Sequence, residues 1–331
     1  MSTINQSNTK ILLTGATGFV GSALCRRLVG ENLDVRVVLR NPAKIALLPS
    51  ALRAQPVTGD LSDKQSLLEA CVDIDTIIHL AGIAHVSSGA QQDEENNSSN
   101  VVGSENLLAA ALQNKVRRLV FVSSSLAHAA ELDSGDVTAY GKGKRATERL
   151  LLEAAARGQI EVLVLRPVNV YGVGMKGNIA SMISMIQRGR LPRLPALSSR
   201  ISLVGVDDLA TAILLAAKSH HSGKIYTVTD SQEYPIAAIE EAIYAALGKR
   251  LPRLRTPAVI LYAASLLAAA VAGLRGRESG ISGRTYRNLT TDNLFNNDQL
   301  CAELGFEPAQ NLYQALPDIV ADIASSDKPQ Q

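Results

Sequence analysis

The chain has 331 residues, enough for one large domain or two of ordinary size around a substantial core. Its 33 basic and 31 acidic side chains nearly balance, which argues against a nucleic-acid binder. Three scattered cysteines, Cys25, Cys71 and Cys301, form neither a metal-ligand cluster nor a disulfide framework and point to a reducing, cytoplasmic setting. Residues 1–10 are polar and lack the apolar stretch of a signal peptide, so they read as a short leader.

In chain order, the apolar run 10–14 (KILLT) meets a glycine-rich turn and then a helical pattern over 19–29. Further strand patterns lie at 35–39, 75–80, 118–122, 160–165 and 224–228. Continuous β-branched runs alternating with helices mean a parallel sheet covered on both faces, so the first 170 residues read as a doubly wound α/β domain. After Tyr171 the rhythm changes: a helix at 179–188, a strand at 201–206, and a helix capped by Asp207-Asp208 and running to about Ser219. The expected division is 1–172 plus 201–230 for the first domain, and 173–200 plus 231–331 for a smaller one. Residues 258–274 (AVILYAASLLAAAVAGL) carry no charge and are flanked by Arg253, Arg255, Arg275 and Arg277. A spanning helix needs roughly 20 apolar residues, so this run reads as a buried or interface helix, with peripheral contact to an anionic membrane as the alternative.

Thr14-Gly15-Ala16-Thr17-Gly18-Phe19-Val20-Gly21 places glycines at G-x-x-G-x-x-G between strand and helix. Such glycines permit a tight turn, backbone approach to a pyrophosphate and close helix–strand packing, with the helix N-terminus facing the phosphates. The motif therefore predicts dinucleotide binding. At the end of the second strand an acid would bind a free ribose 2′-hydroxyl, whereas arginine accommodates a 2′-phosphate. Val38-Leu39-Arg40-Asn41 has no acid and offers Arg40, which favours NADP(H) over NAD(H). A solvated surface arginine is the plain alternative.

Tyr140 and Lys144 stand four apart, on one face of a helix. A tyrosine ionises near pH ~10, and a neighbouring cation would bring it into range for proton transfer. Gly141 and Gly143 weaken that helix by roughly 1 kcal/mol each relative to alanine, a cost that a purely structural helix would gain nothing by tolerating. The strand at 118–122 ends in Ser123-Ser124-Ser125, at the sheet edge where α/β ligand sites form.

These motifs together resemble the extended short-chain dehydrogenase/reductase family, the NAD-dependent epimerase/dehydratase proteins, over nearly the whole chain. The resemblance implies a Rossmann-type doubly wound parallel sheet with a smaller α/β substrate-binding domain at the C-terminal side. It implies cofactor contacts at Gly15, Thr17, Gly18, Phe19, Val20, Gly21, Arg40, Asp60, Leu61, Leu80, Ala81, Gly82, Tyr140, Lys144, Arg166, Pro167 and Asn169. The catalytic set it implies is Ser124, Tyr140 and Lys144 with Asn100, which opens a stretch like N-x-x-G-T-x-N-L. Substrate contacts fall at Asn178, Arg200 and Arg284, with Arg200 and Arg284 facing a diphosphate; His85 and Ser125 are further candidates, and Ser125 is an alternative to Ser124 as the catalytic hydroxyl. Ala127-His128-Ala129 departs from the family's usual residues after the serines.

By this resemblance the expected reaction is NADP(H)-dependent reduction of a nucleotide-activated 4-keto sugar, of the UDP-4-keto-6-deoxy-N-acetylhexosamine type, in surface polysaccharide biosynthesis. An NAD-dependent UDP-sugar 4-epimerase is the second reading, and a non-catalytic NADP(H)-binding sensor is the alternative of another class. Leu126-Ala127 lacks the acidic pair of a dehydratase. His220-His221 lacks the third and fourth ligands that a metal needs, so no metal is expected. The family often dimerises through a four-helix face, which implies a homodimer here.

Overall fold

The computed structural model describes residues 9–31, 33–53, 56–82, 90–132, 137–257, 259–260, 263 and 290–326. The main sheet contains β1 (Lys10–Thr14), β2 (Asp34–Leu39), β3 (Pro56–Thr58), β4 (Thr76–His79), β5 (Arg118–Val122), β6 (Glu161–Pro167) and β9 (Lys224–Val228). Its order is β3-β2-β1-β4-β5-β6-β9, and every pairing is parallel. The order reverses between β1 and β4, the switch point at which such sheets open a crevice beyond their carboxyl ends.

Helices cover both faces. Ile11 and Leu13 of β1 join one core with α1 (Phe19–Val29) and α7 (Val206–Lys218). Leu12 joins the opposite core with α2 (Lys64–Ala70), α3 (Ala90–Gln113) and α5 (Ala139–Ala156). Strand side chains alternate between faces, so a strand buried on both reads as an unbroken apolar run. A short helix, α4 (Leu126–Glu131), lies between β5 and α5 and packs on the latter.

Beyond β6 the chain enters a second layer through β7 (Asn169–Tyr171), α6 (Asn178–Gln187) and β8 (Arg200–Gly205). After α7 and β9 it returns there with β10 (Glu233–Pro235), α8 (Ile236–Ala246), α9 (Asp298–Leu304) beside β9, and α10 (Leu312–Ser326). A third core gathers Tyr171, Ile183, Tyr234, Ile239, Leu312 and Ile319. Two expectations need correction. The strand expected at 201–206 pairs with β7 and β10 in a separate three-stranded sheet, rather than with the dinucleotide-binding sheet. Nor do the aspartates cap α7: Gly205 stands at its N-cap, and the buried Asp208 carboxylate accepts the Ala309 and Gln310 amides at 3.0 and 3.3 Å. Of the apolar run 258–274, only residues 259, 260 and 263 fall within the described part. Among the described residues, no helix is long and apolar enough to cross a membrane.

Candidate active site

The glycine loop sits where β1 ends. Gly15 has φ +79°, and a Cβ there would stand 2.7 Å from the Ala81 amide nitrogen. A Cβ on Gly21 would stand 2.1 Å from the Gly15 carbonyl, so the loop, α1 and the segment after β4 touch backbone to backbone. The Gly18 amide closes the turn onto the Gly15 carbonyl at 3.1 Å, and α1 begins there with no side-chain cap on its first turn. Uncapped amides and the positive end of the helix suit a pyrophosphate, which is the fit expected for a dinucleotide. Thr17 and Gly18 form the tip of the turn, Val20 packs into the first core, and the Phe19 ring leans toward Gly172 and Gly174.

The Asp60–Leu61 segment, expected among the cofactor contacts, is held from α3. A Cβ on Gly103 would stand 2.8 Å from the Leu61 Cβ, and the Asn106 amide donates to the Leu61 carbonyl at 2.9 Å. Asp60 accepts from the Ser62 amide and hydroxyl, which keep its carboxyl below the usual range, with Arg40 adding to the effect. Arg40 itself is exposed just past β2, whereas Arg36 turns to the carbonyls of Ala70 and Val72.

Thr138 caps α5 by accepting the Gly141 amide at 2.8 Å, which puts Tyr140 in the first turn and Lys144 one turn on. Both line a crevice with Ala81, Gly82, Asn97, Asn100, Ser104, Phe121, Gly143 and Thr147. The Lys144 ammonium donates to the Val122 carbonyl at 2.9 Å, lies 4.6 Å from the Phe121 ring centroid and 5.8 Å from that of Tyr140. Burial pushes the ammonium down to about 8, with Glu148 opposing the shift. The Tyr140 phenol is pushed up to about 12, also by burial. The expectation was that Lys144 lowers the Tyr140 pKa; here burial raises it, and the ammonium directs a proton to the Val122 carbonyl.

The three serines divide their tasks. Ser123 is buried and donates to Glu148 at 2.6 Å. Ser124 Oγ accepts the Leu126 amide at 3.2 Å, which leaves its own proton to be donated. Ser125 opens α4, its amide on the Pro167 carbonyl at 2.9 Å. The two helix glycines also have a packing reason. A Cβ on Gly141 would stand 2.5 Å from the Leu126 carbonyl, and one on Gly143 would stand 3.1 Å from the Asn97 Cβ. Close crossing of α4 and α3, rather than tolerance of a weak helix for the sake of chemistry, accounts for both.

Arg166, expected among the cofactor contacts, lies elsewhere. Its guanidinium forks onto Glu148 at 2.9 and 2.7 Å and reaches Glu131 at 2.8 Å, while Arg145 bridges the same two carboxylates. Three of its nitrogens are engaged by carboxylates within the protein, so the side chain braces α4, α5 and β6 instead of facing a ligand. Arg200 is similarly committed, half-exposed at the start of β8, paired with Glu233 and with Asp292 at 3.0 Å. Asn169 is exposed on β7, Pro167 buried at the end of β6, and Asn178 exposed at the start of α6. His85 and Arg284 lie outside the described residues. Sequence reading passed over Glu148, which carries a signal: it stands four residues after Lys144, on the same helix face.

Residues 11–229 match the model of the NAD dependent epimerase/dehydratase family. A 3-beta-hydroxysteroid dehydrogenase of Mycolicibacterium neoaurum is 25% identical, over 93% of this chain and 90% of its own. A UDP-glucose 4-epimerase of Vibrio cholerae is 26% identical, over 75% and 78%. The crystal structure of a Thermotoga maritima UDP-glucose 4-epimerase with UDP-glucose shares the fold, with a TM-score of 0.75 at 20% identity over 97% of this chain and all of that one. With its glycine loop, parallel sheet and tyrosine–lysine pair in place, the chain belongs to the NAD dependent epimerase/dehydratase family of nicotinamide-dependent oxidoreductases and epimerases.

Proposed function

We propose that the protein reduces a nucleotide-activated 4-keto sugar, of the UDP-4-keto-6-deoxy-N-acetylhexosamine type, with NADP(H). The observation that carries this reading is Tyr140: a protonated phenol one helical turn from Lys144, in a crevice that both share with Ala81, Gly82 and Asn100. The bound dinucleotide supplies the hydride. Tyr140 gives a proton to the carbonyl oxygen, and Ser124, its hydroxyl proton left available by the Leu126 amide, donates a hydrogen bond to that oxygen. Lys144 contributes positive charge beneath the reacting atoms. Arg40 supports NADP(H) over NAD(H) by its place beyond β2. The diphosphate end of the substrate falls to the Arg200 side, where it competes with Glu233 and Asp292 for the guanidinium. A homodimer is the proposed assembly.

The test is to supply a UDP-4-keto-6-deoxy-N-acetylhexosamine with NADPH and follow both. Loss of the ketone with matching oxidation of NADPH supports the reading. The Vibrio cholerae relative favours a second one, UDP-sugar 4-epimerisation, which interconverts UDP-sugars with no net dinucleotide consumed. Fluorescence titration adds a check on the cofactor: NADPH binds more tightly than NADH, and Arg40→Asp inverts the order. Equal binding of both, unmoved by the substitution, removes the case for NADP(H).

A further inference from the structure

One buried imidazole joins the walls of the crevice. His79 ends β4 at the centre of the sheet, 1% exposed, and contacts three elements. The Ala81 amide reaches Thr14 Oγ1 at 3.2 Å, Thr14 Oγ1 lies 2.8 Å from His79 Nδ1, His79 Nε2 lies 3.1 Å from Ser104 Oγ, and Ser104 Oγ lies 2.8 Å from the Asn100 carbonyl. Donor counting gives these bonds a direction. An amide only donates and a carbonyl only accepts. Thr14 thus receives the Ala81 amide and directs its own proton to Nδ1. Ser104 directs its proton to Asn100 and accepts from Nε2. The chain closes with the imidazole neutral and its proton on Nε2.

We propose that His79 is a positioning residue for the dinucleotide: its Nε2–H tautomer holds the end of β1, the Ala81–Gly82 segment and the Asn100 turn of α3 at one fixed spacing. An imidazole suits the task because it carries an acceptor and a donor on one rigid ring, and that ring stacks on Phe121 with centroids 5.5 Å apart. Gly15, the first glycine of the loop, rests against Ala81, so the spacing passes directly to the loop. An imidazolium would carry two donors and no acceptor, so Thr14 Oγ1 would have to accept both Nδ1–H and the Ala81 amide, and the Thr14 proton would lose its acceptor on the ring. Burial, with Lys144 adding to it, lowers the imidazole to about 3. Lys144 on α5 is the charge that acts on it; its hydrogen-bond and stacking partners, Thr14 on β1, Ser104 on α3 and Phe121 on β5, carry none. The linkage therefore stays intact across the pH range in which Lys144 titrates.

The inference rests on dinucleotide use and is independent of which carbonyl is reduced. Two measurements test it. Nitrogen NMR of the full-length protein labelled in its histidine rings is expected to show His79 protonated at Nε2 and bare at Nδ1, unchanged between pH 5.5 and 8.5. Fluorescence titration with NADPH then compares Thr14→Val, an isostere without the hydroxyl, and Thr14→Ser, which keeps it. Positioning predicts that Thr14→Val weakens binding about tenfold, the scale of one lost hydrogen bond, and that Thr14→Ser stays within about twofold of the parent. A packing role alone predicts the reverse order. Ser104→Ala cuts the other side of the ring and is expected to weaken binding to a similar degree. A proton on Nδ1, or Thr14→Val binding as tightly as the parent, overturns the proposal. A parent protein that binds neither NADPH nor NADH would instead end the functional reading, while the NMR result still decides the state of His79.

Discussion

Lys144 illustrates what a reactive side chain costs its own fold. Its ammonium lies buried between Phe121, Tyr140 and the Val122 carbonyl, and its pKa falls from 10.5 to about 8. The native state therefore binds its proton less tightly than the unfolded chain. The penalty is complete below pH 8 and is relieved as pH rises from 8 toward 10.5. At roughly 1.4 kcal/mol per pKa unit, it is on the order of 3 kcal/mol at neutrality. Lys144→Met is thus expected to melt at a higher temperature than the parent at pH 7, with the gain shrinking by pH 10, and to lose turnover. A variant that is less stable than the parent at pH 7 contradicts this. The tyrosine–lysine pair was legible in the sequence because its spacing is a helical turn. The direction of the tyrosine shift was not, since it depends on how deeply the phenol is buried and on which carbonyl the lysine meets.

At the scale of elements, α5 carries the chemistry and is held by close crossings. The Cβ of a Gly141→Ala variant would meet the Leu126 carbonyl at 2.5 Å, a backbone atom that cannot rotate away, whereas that of Gly143→Ala meets the Asn97 side chain at 3.1 Å. Alanine returns roughly 1 kcal/mol of helix propensity, and overpacking costs typically about 1–3. Gly141→Ala is expected to be net destabilising and to reduce turnover, and Gly143→Ala to be close to neutral in a chemical melt. Equal effects would show that the crossing at α4 does not govern the helix position. Strands β1, β5 and β9 and helix α1 could be read from the sequence to their end residues, because a core on each side of the sheet demands unbroken apolar strands and an amphipathic helix. The three-residue strands β3, β7 and β10 could not, since their pairing is set by partners distant in the chain. The split of the strand patterns into two sheets was hidden for the same reason: β8 looks like any other buried strand until β7 is seen beside it.

Over the whole molecule, a buried junction ties the second layer to the first. Tyr171 and Tyr234 place their hydroxyls 3.0 and 2.6 Å from the same Asp230 oxygen, Tyr171 also reaches the Gln310 carbonyl at 2.8 Å, and Tyr234 accepts the Leu312 amide at 3.0 Å. Tyr171 has a single proton for two acceptors, and the count closes when Asp230 carries one. Burial raises the Asp230 pKa, with Asp208 adding to the shift, against hydrogen bonds from Tyr234, Gln232 and Tyr171. A carboxyl raised in the folded state lends stability that is full below its unfolded value of 3.8 and is lost as pH rises through the folded one. The melting-temperature advantage of the parent over Asp230→Asn is expected to shrink as pH increases above 3.8, and a pH-independent difference contradicts it. None of this was visible in the sequence, where Asp230 and Tyr234 are neighbours but Tyr171 and Gln310 lie in distant segments. The dinucleotide crevice was visible, because its loop is contiguous. Rapid mixing of the NADPH-loaded enzyme with a UDP-4-keto-6-deoxy-N-acetylhexosamine tests whether Tyr140 is the proton donor in the proposed NADPH-dependent carbonyl reduction. Tyr140→Phe is expected still to bind NADPH but to oxidise it about 10²–10⁴-fold more slowly, the range of general acid catalysis. Oxidation at the parental rate in that variant would contradict it.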